Sequence, residues 1–259
     1  MRARVYNKQK NEYYISEIFA VTNLGYIVDD PDDMKKVLLV DYIDPMQVFP
    51  YTPNIEVIDN ENDNEKWIIP DYLQRQKINK RILDDNEITS FRGPESIWNS
   101  EEGLLVLIKN RTADKEILGI GEKNTKLSGW NYIENDDDIE MILDEYYGFN
   151  DAVIKEMSYI SGDYFVKEDK SMRLSESGSK QLRILFDSEW GGELELILLA
   201  PRVVHLIPGE ENKWSDIIDV SIFVKDCKVY FYTSVLEEIP EDFNETYFIS
   251  MGMRWRITK

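Results

Sequence analysis

Residues 247–257 read YFISMGMRWRI, and this stretch decides the fold class of the chain. Apolar side chains occupy every second position from Tyr247 to Ile257, and serine, glycine and arginine fill the positions between them from Ser250 onward. A period of two is typical of a β-strand with one buried face. The stretch therefore predicts a long strand that turns its apolar set toward a core.

The same period recurs in the sequence that precedes this stretch. Leu194, Leu196 and Leu198, for example, share one predicted strand face. Together the patterns predict seven strands, at residues 152–160, 182–186, 193–199, 203–207, 217–224, 229–233 and 247–257. No crossover helix separates them, which excludes a parallel sheet. We expect residues 149–259 to form a C-terminal antiparallel module, a β-sandwich or an open barrel.

A helix is predicted immediately before this module. Within residues 136–147, Ile139, Ile142 and Tyr146 recur at spacings of three and four, which places them on one apolar stripe. Asn135 is a favourable N-cap, aspartates fill the first turn, and Gly148 supplies a stop. We interpret residues 135–148 as a connecting helix.

Residues 1–134 give a less regular pattern. Aromatic and β-branched residues at 2–6 and 13–21 flank a polar turn and predict a β-hairpin, and residues 36–42 indicate a third strand. Leu73, Ile78 and Ile82 have loose helical spacing. We expect an N-terminal α+β module here, and an α+β class with mainly antiparallel β-structure for the whole chain.

The charge of the chain restricts its partners. It carries 50 acidic and 30 basic residues, a net charge of −20, which repels nucleic acid and anionic membranes and attracts basic proteins. The same charge also serves solubility. A single cysteine, Cys227, excludes an internal disulfide, and no apolar run approaches the length of a signal peptide or of a membrane helix. We expect a cytoplasmic protein that binds neither nucleic acid nor membrane, in an oligomeric state that the sequence leaves open.

The residues that most often carry chemistry predict no catalytic or metal site. His205, the only histidine, lies in an apolar strand and is interpreted as structural, and Cys227 lies in a turn without a protease signature. Two acidic clusters, at residues 29–33 and 59–65, invite a calcium interpretation, but residues 59–65 lack the glycine of a calcium-binding loop. We therefore assign no catalytic residue, no metal ligand and no cofactor.

One charged surface is a candidate binding site. Glu193 and Glu195 share a strand face about 7 Å apart by strand rise, and Arg254 and Arg256 share a face of the last strand. Cross-strand pairing on an exposed sheet face accounts for both pairs. With Trp190 at the edge, the combination of arginine and aromatic residues suits a binding hot spot. The spacing of the two glutamates is also compatible with hydrolysis by paired carboxylates.

A resemblance extends over about the last 110 residues. Gly148, Phe149 and Asn150 open a run that reads GFNDAVIKE, followed by YISGDY from Tyr159 and closed by RWR from Arg254. This pattern resembles a family of uncharacterised bacterial cytoplasmic proteins with a β-rich C-terminal domain, some of which are similar to immunity proteins that neutralise toxins of interbacterial competition. Asn150 departs from the pattern, which has histidine at this position. The resemblance implies a binding role and no catalytic residue.

Three functions remain open at this point. The leading hypothesis is an acidic cytoplasmic protein-binding module, of immunity or antitoxin-like type, that occludes a basic partner. The alternative is a carboxylate-dependent hydrolase acting on a carbohydrate or a similar small substrate, which requires two converging acids, one of them with a raised pKa. A structural or regulatory subunit is the third. The sequence does not decide whether the chain is an enzyme, and the balance favours a binding protein.

Overall fold

The computed structural model of this chain describes residues 2–7, 9–21, 25–41, 55–59, 101–120, 126–173, 180–209 and 216–259. The chain divides into two compact units, Met1–Thr125 and Lys126–Lys259. The described strands pair antiparallel throughout both units, which confirms the expectation of mainly antiparallel β-structure.

The described part of the first unit is a six-stranded antiparallel sheet with one helix. Its elements are β1 (Arg2–Asn7), β2 (Glu12–Val21), β3 (Gly25–Asp30), β4 (Asp33–Asp41), β5 (Ile55–Asp59), α1 (Glu101–Asn110) and β6 (Thr112–Asp114). The strand order is β5-β1-β2-β3-β4-β6. The predicted hairpin is confirmed as β1 and β2, and the predicted third strand is confirmed as β4.

The first unit differs from the prediction in two respects. It is predominantly β-sheet over its described residues rather than an α+β module, and three of its strands, β3, β5 and β6, were not predicted. Leu73, Ile78 and Ile82 lie outside the described residues. One sheet face buries Val5, Ile18 and Val28 in a common cluster, so the unit has a core of its own.

The second unit is built on a seven-stranded sheet. Its elements are β7 (Asn131–Ile133), α2 (Asp136–Glu145), β8 (Ala152–Ile160), β9 (Tyr164–Val166), β10 (Ser171–Arg173), β11 (Gln181–Ser188), β12 (Gly192–His205), β13 (Ser221–Lys225), β14 (Lys228–Tyr232) and β15 (Tyr247–Ile257). The strand order is β13-β14-β15-β12-β11-β8, and β7 pairs with β15 beside β14. β9 and β10 form a separate hairpin.

This sheet curls until its two edges meet at one point. The backbone N–H of Ile217, in the segment leading into β13, donates to the carbonyl oxygen of Ala152 at the start of β8, at 2.7 Å. β8 and β13 are the outermost strands of the sheet. The inner face of the curl therefore forms an enclosed core along most of its length.

The core of the second unit is aromatic, and α2 covers part of it. Phe149 is fully buried, and its ring lies 4.9 Å from that of Tyr146, 5.2 Å from Phe186 and 5.3 Å from Phe231. Ile139 and Ile142 of α2 belong to the same cluster. Residues 135–148, predicted as a connecting helix, therefore lie within the second unit and contribute to its core.

β12 joins two segments that the sequence predicts as separate strands. Residues 193–199 and 203–207 contribute to one strand with a bulge between Pro201 and Val203, where β12 pairs with β15. Ala200 has a φ of +46°, in the left-handed region. A bulge bends a strand and shifts its side-chain parity, which explains why a strict period of two fails across this point.

Parity also fails at two other predicted faces. Ile218 shares the sequence period of Val220 and Ile222, which are buried, yet it is 74% exposed, and Ile217 is buried instead because it pairs with Ala152. In β15, Phe248 and Met253 contact the same core although they have opposite parity. Ile217 forms a bridge outside the regular strands, and Phe248 and Met253 lie on either side of the point where β15 pairs with the bulge of β12, so a periodicity argument that assumes a regular strand anticipates neither.

Replacing the N-cap residue tests how much the capping box of α2 contributes to stability. Asn135 accepts from the N–H of Asp138 at 3.1 Å, and Asp138 accepts from the Asn135 N–H at 3.2 Å, which completes a capping box. Asn135→Ala should lower the unfolding free energy of the second unit by about 1 kcal/mol, because it exposes unsatisfied helix N–H groups. Urea unfolding followed by circular dichroism measures this. Asn150→Ala, the same change at an exposed turn, should have little effect, and equal losses would contradict the assignment.

Candidate functional site

The five predicted binding residues do not form one cluster. Glu195 lies on the sheet face opposite the aromatic core and is only 6% exposed. It accepts from Arg183 Nε and, at 2.6 Å, pairs with Arg256 Nη2. β12 places Glu195 directly opposite Arg256 on β15, so the predicted cross-strand pairing is present.

Glu193 is engaged by two lysines. Its Oε1 pairs with Lys155 Nζ at 2.5 Å, and its Oε2 pairs with Lys259 Nζ at 3.0 Å. Lys155 also pairs with Asp187 at 3.1 Å, so β8, β11 and β12 are linked by one chain of ion pairs. Apart from Arg256, the bases that balance the two glutamates were not selected by the sequence analysis. The pairing of β8 and β11 with β12 supplies them.

Arg254 and Arg256 approach a second tryptophan rather than the predicted one. The guanidinium carbon of Arg256 lies 4.2 Å from the Trp130 ring centroid, and that of Arg254 lies 5.0 Å from it. Trp190 lies in the β11–β12 turn, is 59% exposed and donates from Nε1 to Asp151 at 3.2 Å. The sequence analysis placed Trp190 at the edge of this surface and did not select Trp130, which is the aromatic neighbour of both arginines.

The ion pairs keep both glutamates charged. Burial raises the pKa of Glu195, but hydrogen bonds from Arg183 and Arg256 outweigh it, and the net pKa lies below the ordinary value. Hydrogen bonds from Lys155 and then from Lys259 lower the pKa of Glu193. A general acid in hydrolysis requires a raised pKa. Neither carboxyl group has one.

The structure shows a cleft that the sequence analysis missed. It has a volume of about 770 Å³ and opens between β8 and the segments that follow β12 and precede β13 and β15. Its lining comprises residues 154–157, 206–209, 216–217, 233 and 244–246. The cleft lies where the curled sheet stays open beyond the bridge between Ala152 and Ile217. These lining residues come from five separate segments of the sequence, so no local motif could have revealed the cleft.

The lining of the cleft is apolar inside and acidic at its edge. Ile154, Met157 and Ile217 belong to the aromatic core or pack against it. Glu156 and Glu245 are exposed. An apolar cleft with a few polar groups is the usual form of a binding site.

His205 has a structural role near this cleft. Its Nδ1 lies 2.8 Å from the backbone carbonyl oxygen of Glu245, a geometry in which Nδ1 donates, and its ring lies 5.1 Å from Tyr247. The contact links the end of β12 to the segment before β15. This agrees with the interpretation of His205 as a hydrogen-bonded structural residue.

The acidic cluster at residues 29–33 is occupied by protein contacts. Asp29 pairs with Lys115 and accepts from Ser16, Asp33 pairs with Lys36 at 3.2 Å, and Asp32 pairs with Lys10 at 2.7 Å. Within the described residues, no group of three histidine, cysteine or acidic side chains is arranged to hold a metal ion. Residues 60–65 of the second cluster lie outside the described part.

Comparison with family models, with curated proteins and with solved structures finds no match for this chain. The resemblance to immunity-like proteins therefore stays a prediction. In the part of the chain that the structure describes, no helix has the length and apolarity required to cross a membrane.

Glu195→Gln tests the ion-pair network. Removing the charge leaves Arg183 and Arg256 without their shared counterion and should cost about 1–2 kcal/mol at pH 7, less than for a fully buried pair because both arginines are partly exposed. Since the folded pKa of Glu195 is lowered, its contribution is present above the ordinary value of 4.5 and is lost as the pH falls through the folded pKa.

Urea unfolding of the wild type and Glu195→Gln at pH 7 and near pH 3 measures this dependence. The difference between the two proteins should shrink toward zero at the lower pH. Glu140→Gln, the same change on the exposed side of α2, should be neutral at both values. A cost for Glu195→Gln that is independent of pH would show that the network contributes only packing.

Proposed function

We propose that the chain is an acidic cytoplasmic module, of immunity or antitoxin-like type, that binds and occludes a basic partner protein. The observation that carries the proposal is a separation of the acidic side chains of the second unit into two classes. Glu193 and Glu195 are neutralised by ion pairs, whereas the acids of α2 and of residues 234–245 make no ion pair within the described part of the chain.

Two acids of α2 are placed against the helix dipole. Asp144 and Glu145 occupy the last turn, where the dipole favours cations, and this turn contains no basic residue. Such a placement costs about 0.3–1 kcal/mol per charge. The stability of the helix itself therefore does not explain why acids occupy its last turn. A cationic partner would turn the same field into a favourable interaction.

Apolar side chains accompany the acids on this surface. Met141 is 41% exposed on α2, and Tyr147 follows the helix with 61% exposure. Asp219 lies close by, since a Cβ added at Gly148 would stand 3.7 Å from its Oδ1. Exposed aromatic and methionine side chains within a field of one sign are typical of an interface core surrounded by steering charges.

A second acidic segment precedes β15. Glu237, Glu238, Glu241 and Asp242 are exposed, and Val235 is 71% exposed among them. No basic residue lies between Ser234 and Glu245. The second unit holds 27 acidic and 14 basic side chains, so its field is strongly negative. This favours fast association with a basic protein.

The hydrolase alternative has no comparable support. Glu193 and Glu195, the two carboxylates that this alternative requires, each contact two cationic side chains and have lowered pKa values. These properties suit a charged structural network better than an acid catalyst.

Capture followed by quantitative binding tests the proposal. The purified chain is used to isolate partners from a bacterial lysate at low salt, and each is then measured as a purified protein by biolayer interferometry between 50 and 500 mM salt. We expect a basic protein that forms a stoichiometric complex and loses at least tenfold in affinity over this range.

Charge reversal localises the interaction. Glu140→Lys with Asp144→Lys reverses two charges on the exposed face of α2 and should weaken the complex more than tenfold. Glu12→Lys with Glu116→Lys makes the same net change on exposed residues of the first unit and should change affinity less than threefold. Equal effects of the two double variants, or complexes insensitive to salt, would overturn the proposal.

A further inference from the structure

We infer that the cleft beside β8 receives an extended segment of the basic partner, which adds as a strand to the outer edge of β8. The inference rests on the proposed function and names the site and the kind of segment recognised. It starts from the observation that four consecutive residues, 154–157, line the cleft. Successive side chains of a strand point to opposite faces. When four consecutive residues of a strand line a cleft, the edge of that strand therefore faces the cleft.

That edge is available for pairing. Among the described residues, β8 pairs with β11 on one side, and on the other side only Ala152 is paired, with Ile217. The remaining N–H and C=O groups of the outer edge form a template for another strand. Pairing of a peptide with such an edge is an established mode of recognition, in which the main chain supplies affinity and pockets for alternate side chains supply specificity.

The register of β8 determines where a strand can add. Leu185 lies opposite Glu156 and Phe186 lies opposite Ile154, which leaves Lys155 as the extra residue of a bulge. Beyond the bulge, pairing with β11 is regular from Glu156 to Ile160. Five residues of regular edge accommodate a segment of about 17 Å.

One face of this edge is apolar. Met157 packs against the core, and Tyr159, with the same parity, is 56% exposed. Leu206 and Ile207 lie across the cleft and are 45% and 49% exposed. A strand added to β8 would cover these side chains with every second residue of its own. Those residues of the partner are therefore apolar.

The charges around the cleft determine which residues the partner segment carries between its apolar positions. Asp216, Glu245 and Glu156 contribute carboxylates to the lining, and of these Glu156 pairs with Arg183 at 3.1 Å. The single lysine of the lining, Lys155, is held by Asp187 and Glu193. The field at the rim is therefore negative, and the partner segment alternates apolar with basic residues.

A peptide library identifies such a segment directly. Phage-displayed random dodecapeptides are selected on the full-length chain at low salt, and the enriched peptides are synthesised with a fluorescent label for polarisation measurements. We expect enrichment of alternating apolar and basic residues without proline in the central positions. Replacing two central residues of a selected peptide by proline should weaken binding at least tenfold, because proline lacks the N–H required for strand pairing.

Matched protein variants locate the binding site. Asp216→Lys with Glu245→Lys reverses the charge of the cleft rim and should weaken the selected peptide at least tenfold. Glu12→Lys with Glu116→Lys makes the same change on exposed residues of the first unit, outside the lining, and should have less than a threefold effect. The amide hydrogen exchange of residues 156–160 in the wild type should slow when the peptide binds. This measurement uses no variant, so it does not depend on whether a variant folds correctly.

The outcomes separate the two proposals. Three outcomes would overturn the inference about β8: the selection enriches no peptide, the enriched peptides tolerate central prolines, or the enriched sequences are uncharged and apolar. The third outcome would indicate that the cleft binds a small apolar ligand. The basic-partner proposal would still stand if the protein complex remained sensitive to salt and to the variant of α2. Loss of that sensitivity, with or without peptide binding, would overturn the basic-partner proposal.

Discussion

The second unit depends on the burial of one aromatic face of an antiparallel sheet. Trp255, Phe231 and Phe186 are fully buried there, and each aromatic ring of this size removes about 150–250 Å² of surface from water. A flat sheet would leave that face open. Curling of the sheet, the helix α2 and the ring of Phe149 together enclose it. The left-handed φ angles of Tyr147, Phe149 and Asp151 are unfavourable for such residues, and the packing of Phe149 offsets them.

The way the sheet curls also creates the cleft. Its edges meet through a single described bridge, between Ala152 and Ile217, and they diverge beyond it. The bulge at Lys155 bends β8 at this point, and the bulge of β12 bends the strand whose continuation forms the opposite wall. The cleft therefore follows from the same bends that allow the aromatic face to close, and the outer edge of β8 is left beside apolar side chains.

The sequence predicted local elements well and three-dimensional neighbours poorly. α2 begins where its cap and aspartates predicted, and β8, β14 and β15 agree closely with their predicted bounds, because caps and periodicity depend on neighbouring residues. The joining of two predicted strands into β12 depends on a bulge that no local pattern encodes. Glu195 was correctly paired with arginine, whereas Trp130, Arg183 and Lys155 were missed because only the strand order brings them to the site.

The two classes of acid in the second unit differ in environment rather than in residue type. Glu195 is shielded and held by Arg183 and Arg256, so its charge is largely neutralised at short range and contributes little to the field outside. Glu140 and Asp144 are exposed and unpaired within the described residues, so their charges extend over about a Debye length, roughly 8 Å at physiological salt. Net charge alone cannot distinguish these cases. Pairing of Glu193 and Glu195 leaves the exposed acids of α2, of the segment before β15 and of the rim of the cleft as contributors to the negative field outside the second unit.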